Sequence, residues 1–235
     1  MSFVVMTDTS GNLPPQYIFD YSLQVIPFSY FIEGKEYNSV KNPDFDAEDF
    51  YARIKKGMKV TTSQIPPQQY ADFFEPALRE GRDVIFICMS SGISGSCNSA
   101  KIAARMMMEA YPDRIVEVID TRGASLGEGI IALYADRLRR LGRSTSEAIA
   151  ELYDHVERMF NVFTVDDLMH LRRGGRLSNL SAVVGTVLQI KPLLKGNEEG
   201  KIVAFSKVRG RKQQPYQHRN RSIHFPLCSP LVRNL

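Results

Sequence analysis

Long apolar runs alternate with segments of helical period along most of the chain. The clearest run covers residues 84–89 and is followed at once by a segment rich in serine and glycine, residues 90–96. An unbroken apolar run of this kind is typical of a strand buried on both faces of a parallel sheet. After the polar segment, Ala100, Ala103 and Met107 recur at helical spacing. The pattern therefore predicts a strand, a tight turn and a helix in that order.

Further strands and helices are predicted on either side of this unit. Short apolar stretches predict strands, and amphipathic stretches that start at proline or a hydroxyl residue and stop at glycine predict helices. The predicted strands cover residues 3–6, 24–31, 115–119, 161–165 and 201–205, and the predicted helices residues 14–21, 46–56, 68–80, 126–141 and 144–156. Alternation of this kind predicts an α/β fold with a mostly parallel sheet.

The serine-rich turn is a candidate anion site. In a parallel sheet the carboxyl ends of the strands face the ligand crevice, and a helix N-terminus there offers free N–H groups. Serine hydroxyls can donate to an anion, while Gly92 and Gly95 allow the backbone to come close. The alternative is that Ser94 or Ser96 only caps the following helix.

A second hydroxyl cluster lies earlier in the chain, just before the predicted helix at residues 68–80. Thr61, Thr62 and Ser63 form a polar segment that ends where Pro66 and Pro67 start that helix. Each cluster alone is weak evidence for a ligand site, because Ser/Thr segments are usually only loops. Since the two clusters bracket one helix and one strand, they together suggest a ligand whose head group takes hydrogen bonds from both.

Three other motifs have a structural interpretation beside the functional one. Asp8, behind the first strand, could bind a metal or act as a base, or it could simply form a turn. The segment from Gly127 matches a dinucleotide fingerprint, but seven residues separate it from the preceding strand, so helix packing explains it better. A short helix from Asp166 is predicted to end at Arg172-Arg173-Gly174-Gly175-Arg176. The three arginines around the glycine pair could contact phosphate, or they could be the basic end of a helix with a glycine C-cap.

Composition and cysteine usage are those of an ordinary globular protein. The 235 residues are 43% hydrophobic, which is enough for a sizeable core. No membrane span is expected, because no apolar run reaches about eighteen residues, and the start of the chain lacks the pattern of a signal peptide. Cys88, Cys97 and Cys228 have no metal-ligand spacing. They suit a reducing compartment, so the cytoplasm is expected.

The net charge of +4 belongs to the end of the chain. Seven of the 30 basic residues follow Ser206, where there is no acidic residue, which leaves 23 basic and 26 acidic residues and a net charge of −3. Because the body of the chain is mildly acidic, nucleic-acid binding loses its best argument.

Seven short motifs follow one another along about residues 1–211. They are Met6-Thr7-Asp8-Thr9-Ser10, Thr61-Thr62-Ser63-Gln64, Ser90-Ser91-Gly92-Ile93-Ser94-Gly95-Ser96, Val165-Asp166-Asp167-Leu168, Arg173-Gly174-Gly175-Arg176, Gln189-Ile190-Lys191-Pro192 and Lys207-Val208-Arg209. In content and order they resemble the DegV family of bacterial fatty-acid-binding proteins. The pairing of the second motif with the third is the specific part of the resemblance.

The resemblance implies a two-domain α/β protein with a fatty acyl chain buried between the domains. An N-terminal three-layer domain with a mostly parallel sheet would cover residues 1–157, and a smaller α/β domain that looks incomplete would cover residues 158–211. In the family, the residues matching Thr62 and Ser94 hydrogen-bond the carboxylate. Further pocket residues are expected among the neighbours of these two, namely Thr61, Ser63, Ser91, Gly92 and Gly95.

The resemblance also implies a partner. Members of the family present the bound acid to a separate fatty-acid kinase, which makes an acyl-phosphate for phospholipid synthesis. The chain would then be an acyl carrier without catalytic activity of its own, with the fatty acid as its ligand. No other cofactor, no metal and no nucleic-acid partner are expected.

Residues 212–235 depart from the family pattern. The family normally continues for some tens of residues, with a segment that closes the pocket and carries a histidine near the head group. Here the segment has three prolines, no acidic residue and no periodicity, so we expect it to lie outside the packed core. No motif surrounds His218 or His224, and neither is matched to that histidine.

The alternative function is a serine-dependent hydrolase or acyltransferase acting on a lipid through Ser91 or Ser94. The segment around Ser94 lacks the Gly-x-Ser-x-Gly spacing of a nucleophile elbow. His155 and His170 lie on a predicted helix face and helix end with no evident partner. The sequence therefore favours the carrier.

Overall fold

A computed structural model gives the structure of the protein and describes residues 3–38, 46–165, 168, 171, 174–177 and 190–209. The chain divides into two compact units. The first contains Met1–Asn161 and Gly196–Lys201, and the second contains Val162–Lys195 and Ile202–Leu235. The domain limits at residues 157 and 211 stay a prediction. The tail from residue 212 and most of the segment from Asp166 to Arg173 lie outside the described residues.

Strands and helices alternate through the first unit. Its strands are β1 (Phe3–Asp8), β2 (Gln24–Ile26), β3 (Tyr30–Ile32), β4 (Lys35–Tyr37), β5 (Val60–Thr62), β6 (Asp83–Cys88) and β7 (Val116–Asp120). Its helices are α1 (Pro15–Asp20), α2 (Ala47–Lys55), α3 (Pro67–Arg79), α4 (Ser96–Ala110), α5 (Leu126–Arg140) and α6 (Thr145–Glu157), and a single 3-10 turn covers Thr9–Gly11. The second unit contains β8 (Val162–Phe163), β9 (Ile190–Gly196) and β10 (Ile202–Arg209).

The central sheet of the first unit is parallel, with strand order β2-β1-β6-β7. All six residues of β6 are buried, as its unbroken apolar run predicts. Successive side chains point to opposite faces, so neighbouring residues of one strand enter different cores. The core with α3 and α4 receives Val4, Met6, Val84 and Phe86, and the core with α5 and α6 receives Phe3, Val5, Ile85 and Ile87. This sheet with helices on both faces confirms the predicted α/β fold.

A small antiparallel sheet, ordered β4-β3-β5, corrects two predictions. Residues 24–31 are not one strand. They divide into β2, in the parallel sheet, and β3, in the small sheet, because Pro27 has no N–H group to continue a ladder. The first part of the hydroxyl segment, predicted as a loop, is strand β5, with Thr62 opposite Tyr30 and Thr61 opposite Phe31.

Two glycines of α5 explain the fingerprint-like segment by packing. A Cβ at Gly129 would lie 2.7 Å from the carbonyl oxygen of Gly11, and one at Gly127 would lie 2.7 Å from Nδ2 of Asn161. Larger residues at either position would push the helix away from its neighbours. The prediction that these glycines serve helix packing is therefore confirmed.

The second unit has a three-stranded sheet of order β10-β9-β8, and β8 and β9 are antiparallel. Leu193 and Leu194 of β9 and Ile202 of β10 are buried. The amide of Arg176 donates to the carbonyl of Leu171 at 3.1 Å, and Gly175 has a φ of +71°. None of the helices in the described part of the chain is long and apolar enough to cross a membrane.

Candidate functional site

The carboxyl ends of three parallel strands define one edge of the central sheet. They are Asp8 of β1, Cys88 of β6 and Asp120 of β7. The serine-rich segment leaves this edge from β6 and leads into α4. Thr121, which follows β7, donates from its hydroxyl to the carbonyl of Cys88, the last residue of β6, at 2.9 Å. The amide of Ser90, two residues after β6, donates to the carbonyl of Gly123, beyond the end of β7, at 2.8 Å. The edge is where an open parallel sheet binds ligands.

Ser94 lies in a tight turn immediately before α4. The amides of Ile93 and Ser94 both donate to the carbonyl of Ser90, at 3.0 and 3.1 Å. The Ser94 hydroxyl oxygen accepts the amide of Ser96 at 3.2 Å. Gly95, rather than a serine, occupies the N-cap position, and no side chain caps the helix from there. The first turn of α4 therefore keeps N–H groups that have no partner inside the helix.

The structure brings the two hydroxyl segments together. The amide of Ile65 donates to the Ser96 hydroxyl at 3.3 Å, in a buried position. The Gln64 side chain covers Gly95 so closely that a Cβ at Gly95 would lie 2.1 Å from Gln64 Oε1. Sequence reasoning missed this role of Gln64, although Gln64 is part of the motif that carries the resemblance.

Thr61 and Thr62 lie on β5 and are exposed, as is Ser63 after them. Their side chains alternate, so Thr61 and Thr62 point to opposite faces of the small sheet. Within the ranges that the structure describes, the hydroxyls of Thr62 and Ser94 donate no hydrogen bond. In the part of the chain that is described, no acceptor takes either proton.

A third segment, Gly196–Lys201, contacts the serine-rich turn within the first unit. The Ser90 hydroxyl donates to the carbonyl of Gly200 at 2.8 Å and accepts the amide of Gly92 at 3.1 Å. A Cβ at Gly92 would lie 2.5 Å from the carbonyl oxygen of Glu199. No local signal in the sequence indicates that this segment supports Ser90, about 110 residues earlier in the chain.

Ser91 is exposed and lies beside the end of β7, where its amide donates to Asp120 Oδ1 at 3.3 Å. The only histidine in the described ranges, His155, stacks on Tyr134 with 4.4 Å between the ring centroids. Burial lowers the pKa of His155. The structure thus places no described histidine as a base for Ser91 or Ser94, so it adds no support for a hydrolase.

Two acidic side chains are buried beside the end of β1. Asp8 Oδ1 accepts the amide of Ser10 at 2.7 Å, which confirms its turn-forming role. Glu128 of α5 accepts the hydroxyls of Thr7 at 3.1 Å and Ser10 at 2.5 Å. Burial raises the pKa of both carboxyls, and the charge of Asp8 raises that of Glu128 further. In the described ranges no group of three or more His, Cys, Asp or Glu side chains is arranged to hold a metal ion.

The turn beside these acids connects to the strand that carries Thr62. Thr9 Oγ1 accepts the amide of Phe28 at 3.0 Å. The next residue, Ser29, accepts the amide of Ser63 with its carbonyl at 3.4 Å. Two hydrogen bonds therefore connect the 3-10 turn, through residues 28 and 29, to the residue that follows β5.

Comparison with known families covers nearly the whole chain. A family model described as "uncharacterised protein, DegV family" matches residues 2–217. A DegV domain-containing protein from Lactococcus lactis subsp. lactis is 36% identical over 223 residues, which are 95% of this chain and 77% of the relative.

Solved structures give the same result for the fold. "DegV, a fatty acid binding protein from Bacillus subtilis" is 32% identical, with a TM-score of 0.79 over 93% of this chain and 76% of that one. A DegV family protein from Thermus thermophilus, whose structure is described as showing fatty acid binding, is 31% identical, with a TM-score of 0.79 over 91% of this chain and 74% of that one.

Proposed function

The chain belongs to the DegV family, and from that premise we propose that it binds a long-chain fatty acid whose carboxylate accepts hydrogen bonds from Thr62 and Ser94. Two similar proteins of solved structure, from Bacillus subtilis and Thermus thermophilus, are described as fatty acid binding. The family supplies the class of ligand. The residues that hold the head group are proposed from the geometry of this chain.

The observation that carries the proposal is the meeting of the two hydroxyl segments at the start of α4. Ile65 bonds to Ser96, Gln64 covers Gly95, and the hydroxyl protons of Thr62 and Ser94 are unused within the described residues. A carboxylate bound here would also lie near the positive end of the α4 dipole, which favours an anion. The hydroxyl donors and the positive end of the α4 dipole therefore both favour a carboxylate at this position.

The energetic roles of head group and tail differ. A hydrogen bond to a charged group contributes about 1.5–3 kcal/mol, and each buried CH₂ contributes about 0.8 kcal/mol. A long acyl chain therefore supplies most of the affinity, while the hydroxyls orient the acid.

We further propose that the chain acts as an acyl carrier, presenting the acid to a separate fatty-acid kinase that forms the acyl-phosphate. This rests on the family resemblance. The test mixes the acid-loaded protein, ATP and a bacterial fatty-acid kinase and measures acyl-phosphate. We expect product only when all three are present. Product from the loaded protein and ATP without kinase would overturn the carrier role.

Removing either hydroxyl should weaken binding without unfolding the protein, since both residues lie near the surface. For Thr62→Ala and for Ser94→Ala we expect the dissociation constant for oleic acid to rise about tenfold to a hundredfold, the equivalent of one charge-assisted hydrogen bond. Fluorescence or calorimetric titration measures the constant.

The matched control is Ser146→Ala, which removes an exposed hydroxyl on α6. We expect this variant to bind as the wild type does. If both head-group variants keep wild-type affinity while the wild type binds oleic acid, the assignment of Thr62 and Ser94 is wrong.

A further inference from the structure

Asp8 and Glu128 form a buried pair of acids at the carboxyl edge of the central sheet. Asp8 is 2% exposed and Glu128 is fully buried. Among the residues that the structure describes, no lysine, arginine or histidine makes an ion pair with either carboxyl. The contrast is Asp136, which is also buried but is held by Arg139 and Arg140. Two adjacent buried charges without a cation are strongly unfavourable.

The hydrogen bonds around the pair are too few for two carboxylates. The Thr7 and Ser10 hydroxyls donate to Glu128, and the Ser10 amide donates to Oδ1 of Asp8, whose charged form the backbone of Met89 also favours. Asp8 Oδ2 is buried and has no hydrogen-bond partner among described residues. The two carboxyl groups are neighbours, because the amide of Ser10 donates to Asp8 and the hydroxyl of the same residue donates to Glu128. A proton on Glu128 donated to Asp8 would satisfy the unmatched oxygen.

The other titratable groups around the pair cannot supply the missing positive charge. They are Tyr70 from α3, Cys88 at the end of β6 and Cys97 from α4, and each feels the charge of Asp8. Burial raises the pKa of Tyr70 and of Cys88, which keeps both neutral. None of the three side chains can become a cation.

We propose that Asp8 and Glu128 share one proton in the folded protein at neutral pH, and that the protonated pair positions the segment that carries Thr62. The first part of the proposal depends on no ligand. The second part rests on the proposed function, because Thr62 matters there as a donor to the fatty acid.

The route from the pair to Thr62 is short. Glu128 holds Ser10, and the preceding residue, Thr9, holds the amide of Phe28. The carbonyl of Ser29 then holds the amide of Ser63, next to Thr62. If the proton were lost, repulsion between two carboxylates would push the Ser10 turn away from α5. In this proposal Asp8 and Glu128 are positioning residues, which act on the fatty acid through the segment that carries Thr62.

The expected pH dependence follows from the direction of the pKa shifts. Both carboxyls have a pKa raised by burial in the folded chain, above ordinary values of 3.8 and 4.5. The folded protein thus keeps a proton that the unfolded chain releases. The stabilisation is complete below the ordinary values and is lost as the pH rises through the raised ones. One such proton changes the unfolding equilibrium constant up to about tenfold per pH unit.

The test measures urea unfolding of the ligand-free protein between about pH 5 and pH 8, where the unfolded acids are ionised. Glu128→Gln keeps the size of the side chain and a donor towards Asp8 but carries no titrating proton. We expect the unfolding constant of the wild type to rise with pH more steeply than that of Glu128→Gln. The difference between the two slopes should approach a factor of about ten in the unfolding constant per pH unit. Asp8→Asn combined with Glu128→Gln should remove the dependence of the whole pair.

Thr7→Val is the matched control, because it removes a buried hydrogen bond to Glu128 while leaving both carboxyls. We expect it to lower stability and to keep the wild-type pH slope. The proposal of a shared proton would be wrong if the unfolding constant of Glu128→Gln had the pH slope of the wild type. It would also be wrong if Thr7→Val alone lost that slope.

A second measurement separates the positioning role from the proposed function. Oleic acid affinity is titrated over the same pH range for the wild type and for Glu128→Gln. We expect the affinity of the wild type to fall more steeply towards alkaline pH than that of the variant. Equal profiles would refute positioning by the pair. If neither protein bound oleic acid at any pH, the proposed function would fail, while the unfolding data would still decide the shared proton.

Discussion

Gly92 lies against the backbone of the segment that follows β9, and a side chain there would collide with that backbone. A Cβ would be 2.5 Å from the carbonyl oxygen of Glu199 and 2.6 Å from the carbonyl carbon of Gly200. Both contacts are with main chain, which cannot rotate away as a flexible side chain could. At the scale of single residues, this glycine therefore sets how closely the serine-rich turn approaches its support.

Gly92→Ala should consequently destabilise the protein, by about 1–3 kcal/mol, the usual cost of forcing atoms into a packed contact. Gly123→Ala is the control, since a Cβ there would find its nearest neighbour at 3.6 Å, an ordinary contact. Chemical denaturation of both variants measures the difference. Equal stability of the two variants would contradict this prediction, because segment 196–201 would then shift to accommodate the added methyl group at no cost in stability.

Helix α6 shows how the local sequence starts a helix. The Ser144 hydroxyl accepts the amide of Glu147 at 3.3 Å, and the Glu147 carboxylate accepts the amide of Ser144 at 2.9 Å. This reciprocal pair satisfies donors that the first turn would leave free. Inside the same helix, Thr145 donates to the buried Asp83 at 2.6 Å, which joins the helix start to β6.

Ser144→Ala should lower the free energy of unfolding by about 0.5–2 kcal/mol through loss of the cap. The hydrogen bonds from Ser144 lower the pKa of Glu147, so the part of the cap that the carboxylate accepts weakens as the pH falls through that pKa. The deficit of the variant relative to the wild type should therefore shrink in acid. Ser146→Ala, two residues further in the same helix, serves as control and should change stability by less than about 0.5 kcal/mol. A matching loss in Ser146→Ala would mean that the cap is not the cause.

For the whole molecule, ligand binding and stability are linked by mass action. A ligand that binds only the folded chain stabilises it by about 2.7 kcal/mol when its free concentration is a hundred times its dissociation constant. If the chain binds fatty acid as proposed, oleic acid should raise the unfolding midpoint.

The methyl ester of the same acid tests what the head-group site recognises. It keeps the acyl chain but lacks the negative charge that hydroxyl and N–H donors favour. We therefore expect methyl oleate to raise the midpoint clearly less than oleic acid, measured in thermal unfolding at equal free concentrations. Equal shifts would indicate recognition of the acyl chain alone.

Much of the fold could be predicted because the patterns that determine it are local. The apolar run of β6, the helical period of α3, α4 and α5, and the glycines that end helices all act within a few residues. One prediction is wrong although a local rule covers it. Pro27, which cannot continue a ladder, divides the expected strand at residues 24–31 into β2 and β3.

The sequence alone, through its motifs, determined the family and the two hydroxyl segments as candidates. Tertiary structure decided which groups meet. It placed Ser96 against Ile65, Gly200 against Ser90, and Glu128 beside Asp8 across about 120 positions of chain. Such contacts follow from how the helices and strands pack around the parallel sheet, since no local periodicity specifies which distant residues become neighbours. A buried acid without a cation is visible only once that packing exists.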